Sequence, residues 1–389
     1  MVKRGRLISM KYDYVIIGAG LSAAVSARML ADAGYKILIV ERRNHLGGNL
    51  FDEKNEDGIL VQKYGPHTFH TNNDRVINFV TKYAEFEEYH LKCEVNIDGV
   101  ITPSPFNFKT IDQFYDSNNA KKLKDKLNDA YPLGKATVLE LLDSKDKDIK
   151  EYADFLFEKD YSLYTSKQWG ISPNEVDPSV LKRVPVEFSY KDWYFYDKFE
   201  GIPKGGFMQF INNMLNSNNI ETKTGINGLE HISFKNNKVL YDDEEVNVIF
   251  TGETDELFNY KFGRLPYRSL RFEYEKHNKK DYQTSAIVAY PSHDYGYTRI
   301  TEYTKLPFQC FDTTIIAKEY PLSYNPNSNN EPYYPILTKD SQDKFNNYLN
   351  EANKYKNLTL LGRLAQFKYF NMDQCVLNAI ETIERILNK

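Results

Sequence analysis

The segment from Tyr12 to Asn49, "YDYVIIGAGLSAAVSARMLADAGYKILIVERRNHLGGN", constrains the fold more than any other part of the chain. "YVIIGAG" and "KILIV" are short uninterrupted apolar runs, the pattern of strands covered on both faces in a parallel sheet. Between them "LSAAVSARMLADAG" repeats apolar residues at helical spacing and stops at Gly34, which suits a helix C-terminal cap. The segment therefore predicts a βαβ unit. Gly18, Gly20 and Ala23 stand as G-x-G-x-x-A between the first strand and the helix. Gly18 permits a tight turn, Gly20 lets a diphosphate touch the backbone, and Ala23 allows the helix to pack close on the sheet. The helix N-terminus then offers unpaired N–H groups and partial positive charge to phosphates. Glu41 ends the second strand, where its carboxylate can accept from both ribose hydroxyls and repels a 2′-phosphate. A dinucleotide with an unphosphorylated adenosine ribose is favoured, while flavin and nicotinamide both remain open. Gly47 and Gly48 in "NHLGGN" either bring a second backbone segment against the same diphosphate or form a surface turn.

At 389 residues the chain has room for two to three domains with their own apolar interiors. Its formal net charge of -4 supplies no basic field to gather nucleic acid or an anionic membrane, so anionic ligands must be met locally. No stretch reaches the roughly 18 consecutive apolar residues of a membrane span, and "MVKRGRLISM" lacks the apolar core of a signal peptide. Cys93, Cys310 and Cys375 are isolated, with no CxxC, which points to a reducing cytoplasm and structural burial of all three.

Charged segments from about Thr110 to Trp169 read as several amphipathic helices broken at "YPLG". From Val184 to Gly201, and again from Tyr267 to Tyr320, aromatic and β-branched residues alternate with polar ones, predicting antiparallel strands. "LEHISFKNNKVLYDDEEVNVIFTG" predicts a small hairpin turning at "KNNK" and then an apolar strand ending at Gly252. "NSNNEPYY" reads as a surface loop, and the C-terminal stretch as a strand that delivers Gly362 and Arg363, a loop, and a helix beginning near Asp373. The N-terminus of that helix is suited to negative charge, as is Arg363. The fold class expected is α/β, a Rossmann-like parallel-sheet domain with an inserted α-helical domain and an antiparallel β-sheet domain. The first is assigned residues 1–85, 203–257 and 340–389, the helical domain 108–183, and the sheet domain 86–107, 184–202 and 258–339.

The strings "ERRNHLGGN", "KYGPHTFHTN", "YTSKQWG", "LKRVPV", "GIPKGGF", "TGETDELFNYKFGRLPYRSLRFE", "YTRITE", "KEYP", "EPYYP" and "GRLAQFKYFNMDQ" occur in the order and spacing of the UDP-galactopyranose mutases. From Tyr12 to the final helix the chain resembles that family. The resemblance implies FAD, active in its reduced form, and interconversion of UDP-galactopyranose and UDP-galactofuranose without net redox change. In the family, N5 of the reduced flavin attacks the anomeric carbon and UDP leaves. It further implies a reducing donor such as NAD(P)H, a cytoplasmic homodimer, and no nucleic-acid or membrane partner. Two other readings stay open: an amine-oxidase-like flavin oxidoreductase, and a mutase of another UDP-sugar such as UDP-N-acetylgalactosamine.

By the same resemblance, Arg183 and Arg299 bind the diphosphate, whose charge grows as the glycosidic bond breaks, and Arg's planar fork suits phosphate oxygens. Tyr164 is implied as a stacking face for uracil, Trp169 as part of a closing loop, and Tyr194, Tyr320 and Tyr369 as hydroxyls reaching phosphate or sugar. His70 is implied beside the flavin ring; with Arg183 and Arg299 it completes the expected catalytic set. The cofactor is assigned to Gly18, Gly20, Leu21, Ser22, Glu41, Arg42, Gly48, Asn49, His67, Thr251, Gly252, Arg363, Asn371 and Met372. His67 and His70 lie three apart without a third ligand cluster, so no metal site is expected, and a hydrogen-bonded structural role is the equal alternative for His67. Two departures bear on the sugar: Asn371 stands where the family usually has Asp, and "AQF" replaces "AEY". An amide keeps one acceptor but loses the charge, so the sugar hydroxyls contacted at Asn371 can differ.

Overall fold

The computed structural model describes residues 12–170, 184–328 and 330–388, with backbone alone at Trp169. The apolar run at Tyr14–Ile17 forms the middle of a five-stranded parallel sheet with Ile37–Glu41, Ile220–Thr224, Asn247–Phe250 and Leu358–Leu360. Its first two strands are buried at every position, as continuous apolar runs require. Taken in chain order, the strands lie 3-2-1-4-5, so the order reverses between Tyr14–Ile17 and Asn247–Phe250. Ligands bind at such a switch point, beyond the strands' carboxyl ends. The turn after Ile17 and the turn after Phe250 both open there.

Helix Leu21–Asp32 follows the first turn, buries Ala23, Ala24 and Ala27 along one side, and packs on the C-terminal helix Met372–Leu387. Gly34, with φ +90, lies just beyond its end, so the predicted βαβ unit and its stop are both present. Next to this layer stands a seven-stranded sheet that includes Tyr267–His277, Thr314–Ser323 and Arg299–Glu302. It is antiparallel apart from one pair, Ile287–Ala289 with Cys93–Ile97, which runs parallel.

The amphipathic stretch folds as helices Phe108–Phe114, Ser117–Ala130, Val138–Leu142 and Lys147–Leu156, a π-helical turn Phe157–Tyr161, and helix Ser162–Trp169. It has an apolar cluster of its own, with Leu127, Val138, Leu141, Tyr152 and Leu156 fully enclosed. The break at "YPLG" is a turn in which Gly134 takes φ +72. Asp116, Thr137 and Asp146 accept backbone N–H bonds at three helix starts.

Three expectations need correction. Between Val184 and Gly201 only Val186–Glu187 and the start of Phe199–Pro203 are strands. The residues between them pair locally: Lys191 lies over the Trp193 and Tyr196 rings, 4.0 and 3.6 Å from their centroids. Aromatic alternation there serves side-chain stacking, not a ladder. "NSNNEPYY" is not a surface loop throughout, since Pro332 and Tyr333 are buried. Of the three cysteines, Cys93 and Cys375 are buried but Cys310 is exposed. The hairpin predicted at "KNNK" is present, Ile232–Lys235 with Lys238–Tyr241, and Asn236 and Asn237 take positive φ in its turn. Among the described residues no helix is long and apolar enough to cross a membrane.

Candidate active site

At the switch point lies a cleft of about 1180 Å³, lined by the glycine turn, Glu41, Thr251 and Gly252, the segment Gly47–Leu50 and Arg363. Its walls are built by close backbone approach. Gly18 takes φ +97, and a Cβ there would stand 2.1 Å from Thr251 Oγ1. A Cβ on Gly48 would stand 3.0 Å from Gly20 Cα, and the Gly47 N–H donates to Ala19 O at 2.9 Å. The two glycine segments therefore touch, and the surface-turn alternative for Gly47 and Gly48 falls away. A Cβ on Gly20 would meet nothing within 4 Å, so that side of the turn is open to a ligand. Glu41 is buried; its oxygens accept from the Ala19 and Arg43 N–H groups at 2.8 and 2.9 Å, which fixes the carboxylate at the cleft wall.

Arg42 and Arg43 close the end of this cleft beside Glu41 through carboxylates. Arg43 bonds Glu331 at 2.8 Å and Asn49 Oδ1 at 3.0 Å; Arg42 reaches Glu253, Glu256 and Glu331 at 3.2–3.3 Å. Leu21, Ser22, Gly48, Asn49, His67 and Met372 line the same cleft, whereas Asn371 lines the neighbouring cavity. His67, Arg363 and Met372 border both. His67 Nδ1 is enclosed without a hydrogen-bond partner among the described residues. Burial, with Arg363 and Arg299 nearby, pushes the His67 pKa down to about 3, so its ring is neutral. The Arg363 guanidinium bonds the carbonyls of Phe370 and Tyr333 and no carboxylate among the described residues, leaving its charge uncompensated where the cavities meet.

The second cavity, about 1800 Å³, runs between the helical segment and the seven-stranded sheet. Asp160, Tyr161, Tyr164, Thr165 and Gln168 line it as one helical stripe. Opposite are Arg299, Tyr194, Tyr334 and Tyr369. Arg299 Nε donates to Glu319 Oε2 at 2.8 Å and Nη2 stands 2.7 Å from the same oxygen in an ion pair, while Nη1 has no acceptor among the described residues. Tyr334 and Tyr369 stack with centroids 5.3 Å apart. His70 Nδ1 lies 2.6 Å from Asp197 Oδ2, and its ring stacks on Phe195 at 3.6 Å. Arg268, buried, donates to Gln168 O and Ser323 Oγ, with no carboxylate partner among the described residues. It braces the end of helix Ser162–Trp169, where a Cβ on left-handed Gly170 would stand 2.9 Å from Arg268 Nη1.

A family model described as UDP-galactopyranose mutase matches residues 159–369, and one described as an NAD(P)-binding Rossmann-like domain matches residues 16–83. The dTDP-fucopyranose mutase of Escherichia coli is 36% identical over 370 residues, 94% of this chain and 96% of that protein. The probable UDP-galactopyranose mutase of Klebsiella pneumoniae is 34% identical over 384 residues, 97% of this chain and 95% of that protein. The chain belongs to the UDP-galactopyranose mutase family. It is therefore an enzyme of the isomerase class. A solved structure described as reduced UDP-galactopyranose mutase shares the fold, with a TM-score of 0.69 over 97% of this chain and 96% of that one at 15% identity.

Within this member of the mutase family, some residues singled out in the sequence lie elsewhere. Tyr320 does not line the cavity: its hydroxyl bonds Glu273 at 2.7 Å and its ring lies beneath Arg271, 4.0 Å away. The neighbouring tyrosine that does line it is Tyr334, in the "EPYYP" string. Arg183 lies outside the described residues, as does the Trp169 side chain; the Trp169 backbone ends a helix. Asp160, Gln168, Arg268 and Tyr334 were not anticipated as cavity residues. Asp160 and Gln168 were within reach, because they fall four residues either side of Tyr164 and so share its helix face.

Proposed function

We propose that the chain interconverts pyranose and furanose forms of a nucleotide-activated sugar, with UDP-galactopyranose as first substrate, on FAD held in the glycine-lined cleft. The observation that carries this is the junction of the two cavities, where Arg363, His67 and Met372 border a dinucleotide cleft on one side and an arginine- and tyrosine-lined cavity on the other. The cleft fits FAD: a fixed Glu41 for the ribose, touching glycine segments for the diphosphate, and an uncompensated Arg363 for the pyrimidine end of the ring. When bound and reduced, FAD would supply the nucleophile that holds the anomeric carbon while the glycosidic bond is open.

The chain's own residues do the rest. Arg299 turns its free Nη1 to the departing diphosphate, and Glu319 holds the guanidinium plane. Tyr164 presents a flat ring to the base, and the Tyr334–Tyr369 stack walls the sugar end. Asp197 pairs with His70 Nδ1 and fixes the imidazole at the cavity wall. NAD(P)H as the reductant, a cytoplasmic homodimer, and the division into a discontinuous nucleotide domain, a helical insert and a sheet domain complete the reading.

Two observations favour a second substrate, a dTDP-fucopyranose: the 36% identity to a mutase of that sugar and the uncharged Asn371 in the sugar cavity. The test is incubation of purified, dithionite-reduced holoenzyme with UDP-galactose, UDP-N-acetylgalactosamine and dTDP-fucopyranose in parallel, followed by chromatography. A furanose product from one of them is expected. None from any, with reduced FAD bound, would falsify the proposal; reduction of oxidised flavin by an amine would favour the oxidase reading.

A further inference from the structure

The larger cavity changes character across Arg299. In the seven-stranded sheet, Arg299–Glu302 has Thr314–Ser323, Tyr267–His277 and Tyr334–Pro335 on one side, and Ile287–Ala289 and Cys93–Ile97 on the other. On the first side Tyr334 stacks on Tyr369 and Asn371 follows two residues later, so the cavity is offered hydroxyls and an amide. On the second side it is lined by Ile287 and Cys93, which are register partners and share one face of the sheet. Leu91 and Phe195 extend this wall: the Leu91 carbonyl accepts from the Tyr194 N–H at 2.8 Å, and the Phe195 ring stacks on His70 at 3.6 Å. Leu91, Cys93 and Ile287 pack in the same core as Phe69, the residue before His70, and not in the core of the helical segment, which takes Phe106 and Ala289. His70 in turn follows by three residues His67, which borders both cavities. The apolar wall therefore belongs to the cofactor end of the cavity, not to its helical end. Its one heteroatom is the Cys93 thiol, which burial pushes up to about 12, so it stays neutral and behaves as a small apolar group.

We propose that Leu91, Cys93, Phe195 and Ile287 form a subsite for C6 of the sugar and select a 6-deoxyhexopyranose over its 6-hydroxyl counterpart, an assignment that rests on the cavity holding a nucleotide-sugar. A hexopyranose carries its hydroxyls along the C2–C4 edge, whereas C6 projects from C5, beside the ring oxygen, on the opposite edge. With the diphosphate at Arg299, the hydroxyl edge suits the side of Tyr334, Tyr369 and Asn371, and C6 is left for the apolar side. A methyl group there displaces water from leucine, isoleucine and phenylalanine surface. A hydroxymethyl group would bury its oxygen against four side chains that offer it no oxygen or nitrogen, a mismatch that corresponds to about tenfold to a hundredfold in kcat/KM. The polar side chain next along the row is Ser104, the register partner of Cys93 on the outer strand, and it is the group to which a 6-hydroxyl would have to turn.

The test compares dTDP-fucopyranose with dTDP-galactopyranose, which differ by the single oxygen at C6, on dithionite-reduced holoenzyme, with furanose product measured by chromatography. Wild type should favour the 6-deoxy sugar in kcat/KM by about tenfold or more. Leu91→Asn, which supplies an amide, should lower that preference by about tenfold, and the smaller change Cys93→Ser should lower it by about threefold or more. Because the preference is a ratio taken within one protein, lost flavin or partial misfolding of a variant cancels. Equal kcat/KM for the two sugars in wild type overturns the subsite, as does a preference that neither variant alters. A preference for the 6-hydroxyl sugar that Ser104→Ala removes also overturns it and gives C6 to Ser104. Furanose from neither sugar, with reduced FAD bound, and none from UDP-galactose would overturn the nucleotide-sugar reading as well; furanose from UDP-galactose alone would overturn only the subsite.

Discussion

Arg299 serves two masters, and the Glu319 partner decides how it should be tested. Glu319 is buried, and its Oε1 already lacks a partner among the described residues. Arg299→Ala would strand that carboxylate, at a cost of about 3–5 kcal/mol of stability, and confound any kinetic reading. Arg299→Lys keeps the charge but loses the planar fork. We predict that this variant melts close to wild type while kcat/KM falls by about tenfold or more, because each charge-assisted hydrogen bond contributes roughly 1.5–3 kcal/mol. Unchanged kcat/KM would remove Arg299 from transition-state stabilisation. His67 gives a residue-scale prediction in pH. Its folded pKa of about 3 lies below the unfolded value near 6.5, so below pH 6.5 the unfolded state binds the extra proton. The stability this represents is complete above pH 6.5 and is lost as pH falls towards 3, by at most about 1.4 kcal/mol per pH unit. In urea unfolding between pH 7 and 4.5, His67→Gln should show a shallower slope than wild type. Parallel slopes would mean that the imidazole titrates freely in the fold. Neither the burial of His67 nor the partner of Arg299 was legible in the sequence, because both depend on side chains brought together from distant segments.

Elements were read best where one local pattern sufficed. The βαβ unit announced itself through two apolar runs and a glycine turn, and the "KNNK" hairpin through turn chemistry. The stretch from Phe188 to Lys198 misled because period-two aromatics look the same whether they alternate across a sheet or stack on His70 and Lys191. Likewise Tyr320 and Tyr334 belong to strands of one sheet, and Tyr320 turns from the cavity because it follows Glu319, the partner of Arg299, and so takes the other face. The strand–turn–helix unit also yields a prediction. At Gly18 both the positive φ and the 2.1 Å approach to Thr251 Oγ1 exclude a side chain, and Thr251 is itself bonded to Ile17 O at 2.9 Å. In Gly18→Ala the turn must shift away from Thr251, opening the switch point proposed for the diphosphate. Strain of about 1–3 kcal/mol should weaken FAD binding about tenfold or more, seen as a lowered ratio of flavin to protein absorbance after purification. Full flavin content would show that the turn does not cradle the cofactor.

At the scale of the whole molecule, the meaningful feature is that two large cavities share a wall. The five-stranded sheet supplies one, the helical segment and the seven-stranded sheet supply the other, and His67, Arg363 and Met372 belong to both. If the sugar end of the substrate rests on the flavin, UDP-sugar binding must be energetically coupled to the cofactor, whereas two separate sites would act independently. Thermal unfolding measures this directly. A ligand at about a hundred times its Kd stabilises by about 2.7 kcal/mol, which for a chain of 389 residues corresponds to about 3 °C in Tm. We expect a UDP-sugar at fixed concentration to raise the Tm of the FAD-loaded protein by about that much and of the flavin-stripped protein by clearly less, since Arg363 and the floor of the cavity are then unsupported. UDP alone should show a smaller difference between the two forms, because the diphosphate and base contacts proposed for Arg299 and Tyr164 would not need the flavin. Equal shifts for the sugar nucleotide with and without FAD would mean that the two cavities work separately, and the junction would no longer account for a reaction in which cofactor and sugar must touch.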